Sequence, residues 1–143
     1  MDHLVQIANR FAIEGTVASV TSYGSGHIND TYLVGTVEPG SPDYVLQRKN
    51  HYVFKNVPAM MENIERVTRH IAGKLEAQGT PDTGLTVAQL VKTTDGRNYM
   101  QDAQGNFWCM MDYIPDSVSY DVVTDPTLAF EGGRAFGEFQ RLV

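Results

Sequence analysis

The stretch Tyr23-Gly24-Ser25-Gly26-His27-Ile28-Asn29-Asp30-Thr31-Tyr32 has strand-forming sequence on both sides and a small, polar middle. That combination restricts the chain to a hairpin at this point. Two glycines lacking Cβ let a backbone come within contact distance of a ligand, and consecutive main-chain amides at a turn form a concave donor nest for anionic oxygens. An ordinary hairpin turn has the same local composition, so Gly-Ser-Gly alone does not separate the two. The elements around it have to.

Ahead of the loop, Leu4, Ile7, Ala8 and Phe11 recur at helical spacing before Gly15, which predicts a helix over residues 3–14. Residues 16–23 and 31–37 flank the loop as two antiparallel strands, and residues 44–48, after a dense Pro/Gly/Asp turn, make a third. Met61, Ile64, Thr68, Ile71 and Leu75 then share one face of a long helix over residues 58–78, with Pro58 in its first turn. Residues 81–84 form a break. Residues 87–93 and 97–101 are expected as strands of a hairpin turning at Thr94-Asp95-Gly96, and residues 107–114 as the most apolar strand, stopped by Pro115. Asp125-Pro126 is a helix start, and Leu128, Gly132, Ala135, Phe136, Phe139 and Val143 share one face of that last helix.

The 143 residues suffice for one core, and 42% hydrophobic with 20% charged residues describes an ordered globular chain. A formal charge of -6 with no basic run argues against nucleic acid and anionic membranes as partners. Cys109 is the only cysteine, so no intrachain disulfide forms, and no segment has the length and apolarity of a membrane span. These features predict a cytoplasmic protein.

The order strand, glycine loop, strand, strand, long helix, strands, apolar strand, helix resembles the small lobe of the protein-kinase-like fold. More specifically, the chain is similar to the N-terminal part of the aminoglycoside phosphotransferase and choline kinase-like superfamily, in particular the N-acetylhexosamine 1-kinase group. The resemblance is carried by Tyr23-Gly24-Ser25-Gly26-His27-Ile28-Asn29-Asp30-Thr31-Tyr32-Leu33-Val34, Val45-Leu46-Gln47-Arg48, Asn63-Ile64-Glu65-Arg66-Val67-Thr68 and Ala135-Phe136-Gly137-Glu138-Phe139-Gln140. It implies an α+β fold: an antiparallel sheet of five or more strands, one long packed helix, an N-terminal helix and the first helix of a large lobe. Residues 1–114 would form the nucleotide-binding small lobe, and residues 115–143 the hinge, linker and first helix of an incomplete large lobe.

On that resemblance, the amides of Gly24, Ser25, Gly26, His27, Ile28 and Asn29 cover the nucleotide phosphates up to Asp30, with Asn29 and Ser25 adding side-chain donors. The third strand of the family offers a Lys or Arg after two apolar residues, but here that position is Gln47. Alternation puts Arg48 on the opposite face unless a bulge re-aims it. Glu65 is the helix residue expected beside the strand, its bland role being an i to i+4 pair with Arg69. Met111, Asp112, Tyr113 and Ile114 match the hinge, where the Asp112 carbonyl and the Ile114 amide of an exposed sheet edge would meet adenine. One of Met110 and Met111 would face the ring, and the other would pack in the core.

The implied cofactors are ATP and magnesium, with magnesium ligands and catalytic residues expected beyond residue 143, since no histidine here is followed by Gly-Asp. The implied activity is transfer of the ATP γ-phosphate to an amino-sugar hydroxyl, with this chain inactive alone and its nucleotide affinity poor. A homoserine kinase-like or choline kinase-like phosphotransferase and a non-catalytic nucleotide-binding or interaction module are the alternatives. Exposed Phe136 and Phe139 would dock elsewhere or pair two copies. Cys109-Met110-Met111-Asp112 is not the Cys-x-Pro-x-Arg of a sulfatase, and no Gly-x-Ser-x-Gly elbow is present.

Overall fold

The computed structural model describes residues 2–79 and 86–143. The break expected at residues 81–84 lies outside the described residues. Among the described residues, six strands form one antiparallel sheet: β1 (Val17–Ser22), β2 (Asp30–Thr36), β3 (Tyr44–Lys49), β4 (Leu90–Val91), β5 (Met100–Gln101) and β6 (Phe107–Asp112). Their order is β1-β2-β3-β6-β4, with β5 also paired to β6. The helices are α1 (His3–Ala8), α2 (Val57–Ala77) and α3 (Pro126–Leu142), so the chain is α+β, within the range of strands expected.

Strand alternation divides the core. Val34, Tyr44, Leu46, Trp108 and Met110 point to one face and pack with Ile7, Ala8 and Phe11 around α1. Cys109 points to the other face and clusters with Val57 and Met61 of α2, joined by Ile64, Leu90 and Phe107. Leu46, Met61, Met110 and Val34 are fully buried, each stabilising the fold by roughly 1.5–3 kcal/mol through apolar burial. Replacing Leu46 by Ala would add a cavity term as well.

Helix α2 begins where Asn56 Oδ1 accepts from the Ala59 amide at 3.1 Å, and Pro58 occupies the first turn where no donor is needed. Helix α3 begins as expected, with Asp125 Oδ1 accepting from the Thr127 amide at 2.7 Å. Its apolar face is largely solvent-facing: Phe136 is 75% exposed and Phe139 47%, whereas Leu142 is buried and Arg141 reaches Gln78 at the end of α2.

Three expectations need correction. Helix α1 stops at Ala8 instead of continuing to residue 14, because Phe11 bridges to Thr93, the Ala12 amide donates to Lys92 O and the Thr94 amide to Arg10 O. That pairing also consumes the segment between β4 and β5. The turn at residues 93–97 closes through Thr93 N to Arg97 O at 2.8 Å with Gly96 at φ +82°, but no hairpin ladder extends from it, and β4 and β5 pair with β6 instead. Consequently β6 is an interior strand. One of its edges is covered by β3 and the other by β5 at residues 107–108 and β4 at 110–111, so the exposed edge expected to offer the Asp112 carbonyl and the Ile114 amide does not extend back into the strand.

Candidate functional site

The glycine loop leaves β1 at Ser22, enters β2 at Asp30 and is closed by the Tyr23 amide donating to Thr31 O at 2.9 Å. It encloses a concavity of about 180 Å³ lined by Tyr23, Gly24, Gly26, Asn29, Asp30 and Thr31, among others. Gly24 sits at φ +80°, a conformation that favours glycine. Gly26 has no positive φ, and a Cβ built on it meets nothing within 4 Å. Neither conformation nor packing of the folded chain therefore requires glycine at 26.

The loop side chains are not equivalent. Asn29 Oδ1 accepts from the Asn50 amide at 2.9 Å, which docks the loop on the end of β3 and leaves the Asn29 amino group as a donor. Ser25 Oγ donates to Asp121 Oδ1 at 2.7 Å, tying the loop tip to the linker after β6. Nearby, the rings of Tyr23 and Tyr113 meet edge to face at 6.1 Å, and the charge of the neighbouring Tyr23 phenol, then burial, push the Tyr113 phenol up. His27 is exposed, Ile28 is 54% exposed, and Asp30 pairs with Arg48.

Strand β3 runs in unbroken register against β2 and β6, with Gln47 opposite Thr31 and Cys109, and Arg48 opposite Asp30 and Trp108. No bulge turns Arg48 over, so it stays on the face away from α2. On the α2 face, Gln47 Nε2 donates to Thr31 Oγ1 at 2.9 Å, and Gln47 Oε1 accepts from Lys49 Nζ. Lys49 is 8% exposed and forms no ion pair among the described residues. Burying an ammonium without a counter-charge is costly, so this group has most to gain from an incoming anion. Burial pushes the Cys109 thiol up to about 11, against the opposing pull of the Lys49 charge.

Glu65 does not reach β3. Its carboxylate takes Lys92 Nζ, Asn98 Nδ2 and Arg69 Nη2, joining α2 to the segment around β4 and β5. Hydrogen bonds from Lys92 and then Asn98 hold its carboxyl below the ordinary carboxylate value. The helical pair with Arg69 is thus present, enlarged by two partners distant in sequence.

At the far end of β6, Met110 is buried in the α1-side core and Met111 is half-buried on the α2 side. The Asp112 amide donates to Gln89 O at 3.0 Å and the Tyr113 amide to Asp43 O at 3.2 Å. Following the chain out of β6, the first main-chain donor without a partner among the described residues is the Ile114 amide, and the Ile114 carbonyl accepts from Ser117 Oγ at 2.8 Å. Among the described residues, no three His, Cys, Asp or Glu side chains gather as a metal site.

Lys49 escaped the sequence reading, although the signal was available: residues 47 and 49 of a strand share a face. Lys92, Asn98 and Asp121 carried no local signal, because their partners Glu65 and Ser25 lie far away in sequence. Together these features define an α+β domain with an open glycine hairpin at one end of its sheet and a buried lysine beside it. No protein-family model matches the chain.

Proposed function

We propose that this chain is the ATP-binding part of a small-molecule phosphotransferase of the kinase-like superfamily, acting on a sugar hydroxyl as the N-acetylhexosamine 1-kinase group does. The supporting observation is a connected set of groups. Thr31 lines the loop concavity and holds Gln47, and Gln47 in turn holds the buried, unpaired Lys49. A phosphate under the loop would accept from the main-chain amides of residues 24–29 and gain a charge-assisted partner in Lys49. Lys49 thereby supplies the positive charge that Gln47 lacks.

The sheet order β1-β2-β3-β6-β4, with α2 between β3 and β4 in sequence, agrees with this reading, as does the free Ile114 amide after β6, which suits a ring nitrogen. ATP and magnesium are the cofactors of the reading. The chain's own residues bind and orient the phosphates, while the acceptor and the proton transfer belong to groups outside those described here.

Calorimetric titration of the chain with ATP tests it. Weak saturable binding is expected, falling about tenfold for Lys49→Met, a loss in keeping with one charge-assisted hydrogen bond. Absence of saturable ATP binding, or equal affinity in wild type and Lys49→Met, would overturn the reading.

A further inference from the structure

A second cavity, of about 160 Å³, lies where β3 ends, bounded by Asp30, Arg48, Lys49, Asn50, His51 and Asn106. The chain carries a net charge of -6, yet two cations and a histidine meet here around a single carboxylate, and that carboxylate is already engaged. Arg48 Nε donates to Asp30 Oδ2 at 2.7 Å and Nη2 donates to the same oxygen. A guanidinium has more N–H donors than these, so Asp30 orients Arg48 without saturating it.

The neighbouring groups are also held with donors spare. Asn50 Oδ1 accepts from the Tyr52 and Val53 amides at 3.0 and 3.3 Å, which spends its carbonyl and leaves its amino group. The His51 ring lies tilted at 4.4 Å from the Tyr52 ring and meets the edge of Phe107 at 6.0 Å, while its nitrogens keep no partner among the described residues. Arg48, Asn50 and His51 thus border one small space, each with a donor not spent elsewhere among the described residues. Three donor groups around one volume suit the several oxygens of a tetrahedral anion better than the two of a carboxylate.

We propose that this cavity binds the phosphate group of a small phosphomonoester through Arg48, Asn50 and His51. The site differs from the loop concavity but shares groups with the nucleotide reading. Arg48 lies on the sheet face opposite Gln47 and the two linings share Asp30, while Ile28 of the loop and Lys49, which that reading gives to the nucleotide phosphates, also border this cavity.

The test is amide chemical-shift mapping of the full chain with inorganic phosphate, with glycerol 3-phosphate and, separately, with ATP. Phosphate and glycerol phosphate are expected to shift residues 48–52 and 106 saturably. Arg48→Ala should weaken this about tenfold, the scale of a lost charge-assisted contact, and Asp30→Asn should strengthen it by freeing the guanidinium. His51→Glu, which leaves the Arg48–Asp30 pair intact, should abolish it and guards against misfolding of the Arg48 variant. The proposal is overturned if neither phosphate nor glycerol 3-phosphate gives a saturable shift of residues 48–52, whatever ATP does there, or if His51→Glu binds like wild type. Phosphate binding here without any ATP effect on residues 24–29 would sustain this site and sink the nucleotide reading.

Discussion

Gly15 and Gly26 both lie outside regular elements, but a methyl group added to each meets a different environment. At Gly15, φ is +84° and a Cβ would come within 2.7 Å of Glu38 Oε2 and 2.8 Å of Ser41 Oγ. The carboxylate of Glu38 is fixed there by the Thr16 hydroxyl and the Thr16 amide, which hold its carboxyl below the ordinary value. Gly15→Ala should therefore destabilise the chain by about 1–3 kcal/mol, read from the denaturant midpoint. Gly26→Ala should change that midpoint by under about 0.5 kcal/mol. If the loop covers phosphates, the same variant should still lower ATP affinity, so stability and binding separate at this residue.

At the scale of elements, the turn between β5 and β6 is built on Asp102. Its carboxylate accepts from the Asn106 and Gln104 amides and from Trp108 Nε1 at 2.8 Å. Burial works to raise the Asp102 carboxyl, but the hydrogen bonds from Trp108 and Asn106 prevail and hold it at about 2 against an ordinary 3.8. A folded-state value below the unfolded one means that the contribution is complete above 3.8 and is lost as pH falls toward 2. Thermal melts of Asp102→Asn across that range should fall less steeply with acid than those of the wild type. Equal slopes would show that the turn does not depend on the charge.

The same scale shows what the sequence made legible. Helix α2 was readable because Pro58 and the Met61-Ile64-Ile71 spacing state a start and a face, and β1 to β3 because alternation and the Pro39-Gly40 and Pro42-Asp43 turn signals bound them. The end of α1 and the short β4 and β5 were not, since a bridge from Phe11 to Thr93 decides both, and propensity contains no record of a partner 82 positions away (93 − 11). In the candidate site the loop and the face of Gln47 followed from local pattern. Glu65's partners depend on how α2 lies over β4, which no spacing within α2 encodes.

For the molecule as a whole, the described helices include none long and apolar enough to cross a membrane. The apolar surface is concentrated at one end of the chain: Val118, Tyr120, Val122, Val123, Phe130 and Phe136 are each at least 60% exposed. Phe136→Ser removes only side-chain surface that is already in water. It should leave the melting temperature unchanged within error while raising the concentration at which the protein begins to aggregate, followed by light scattering.

Trp108 is the chain's single tryptophan, 3% exposed and seated in the strand that pairs with β3, β4 and β5. The Tyr32 ring lies 6.1 Å from it. The protein thus carries a built-in optical probe at the junction of its sheet. Its emission should be blue-shifted while the strands hold together and move to longer wavelength when they part, with energy transfer from Tyr32 fading at the same moment. Refolding of the sheet can be timed by fluorescence without attaching a dye.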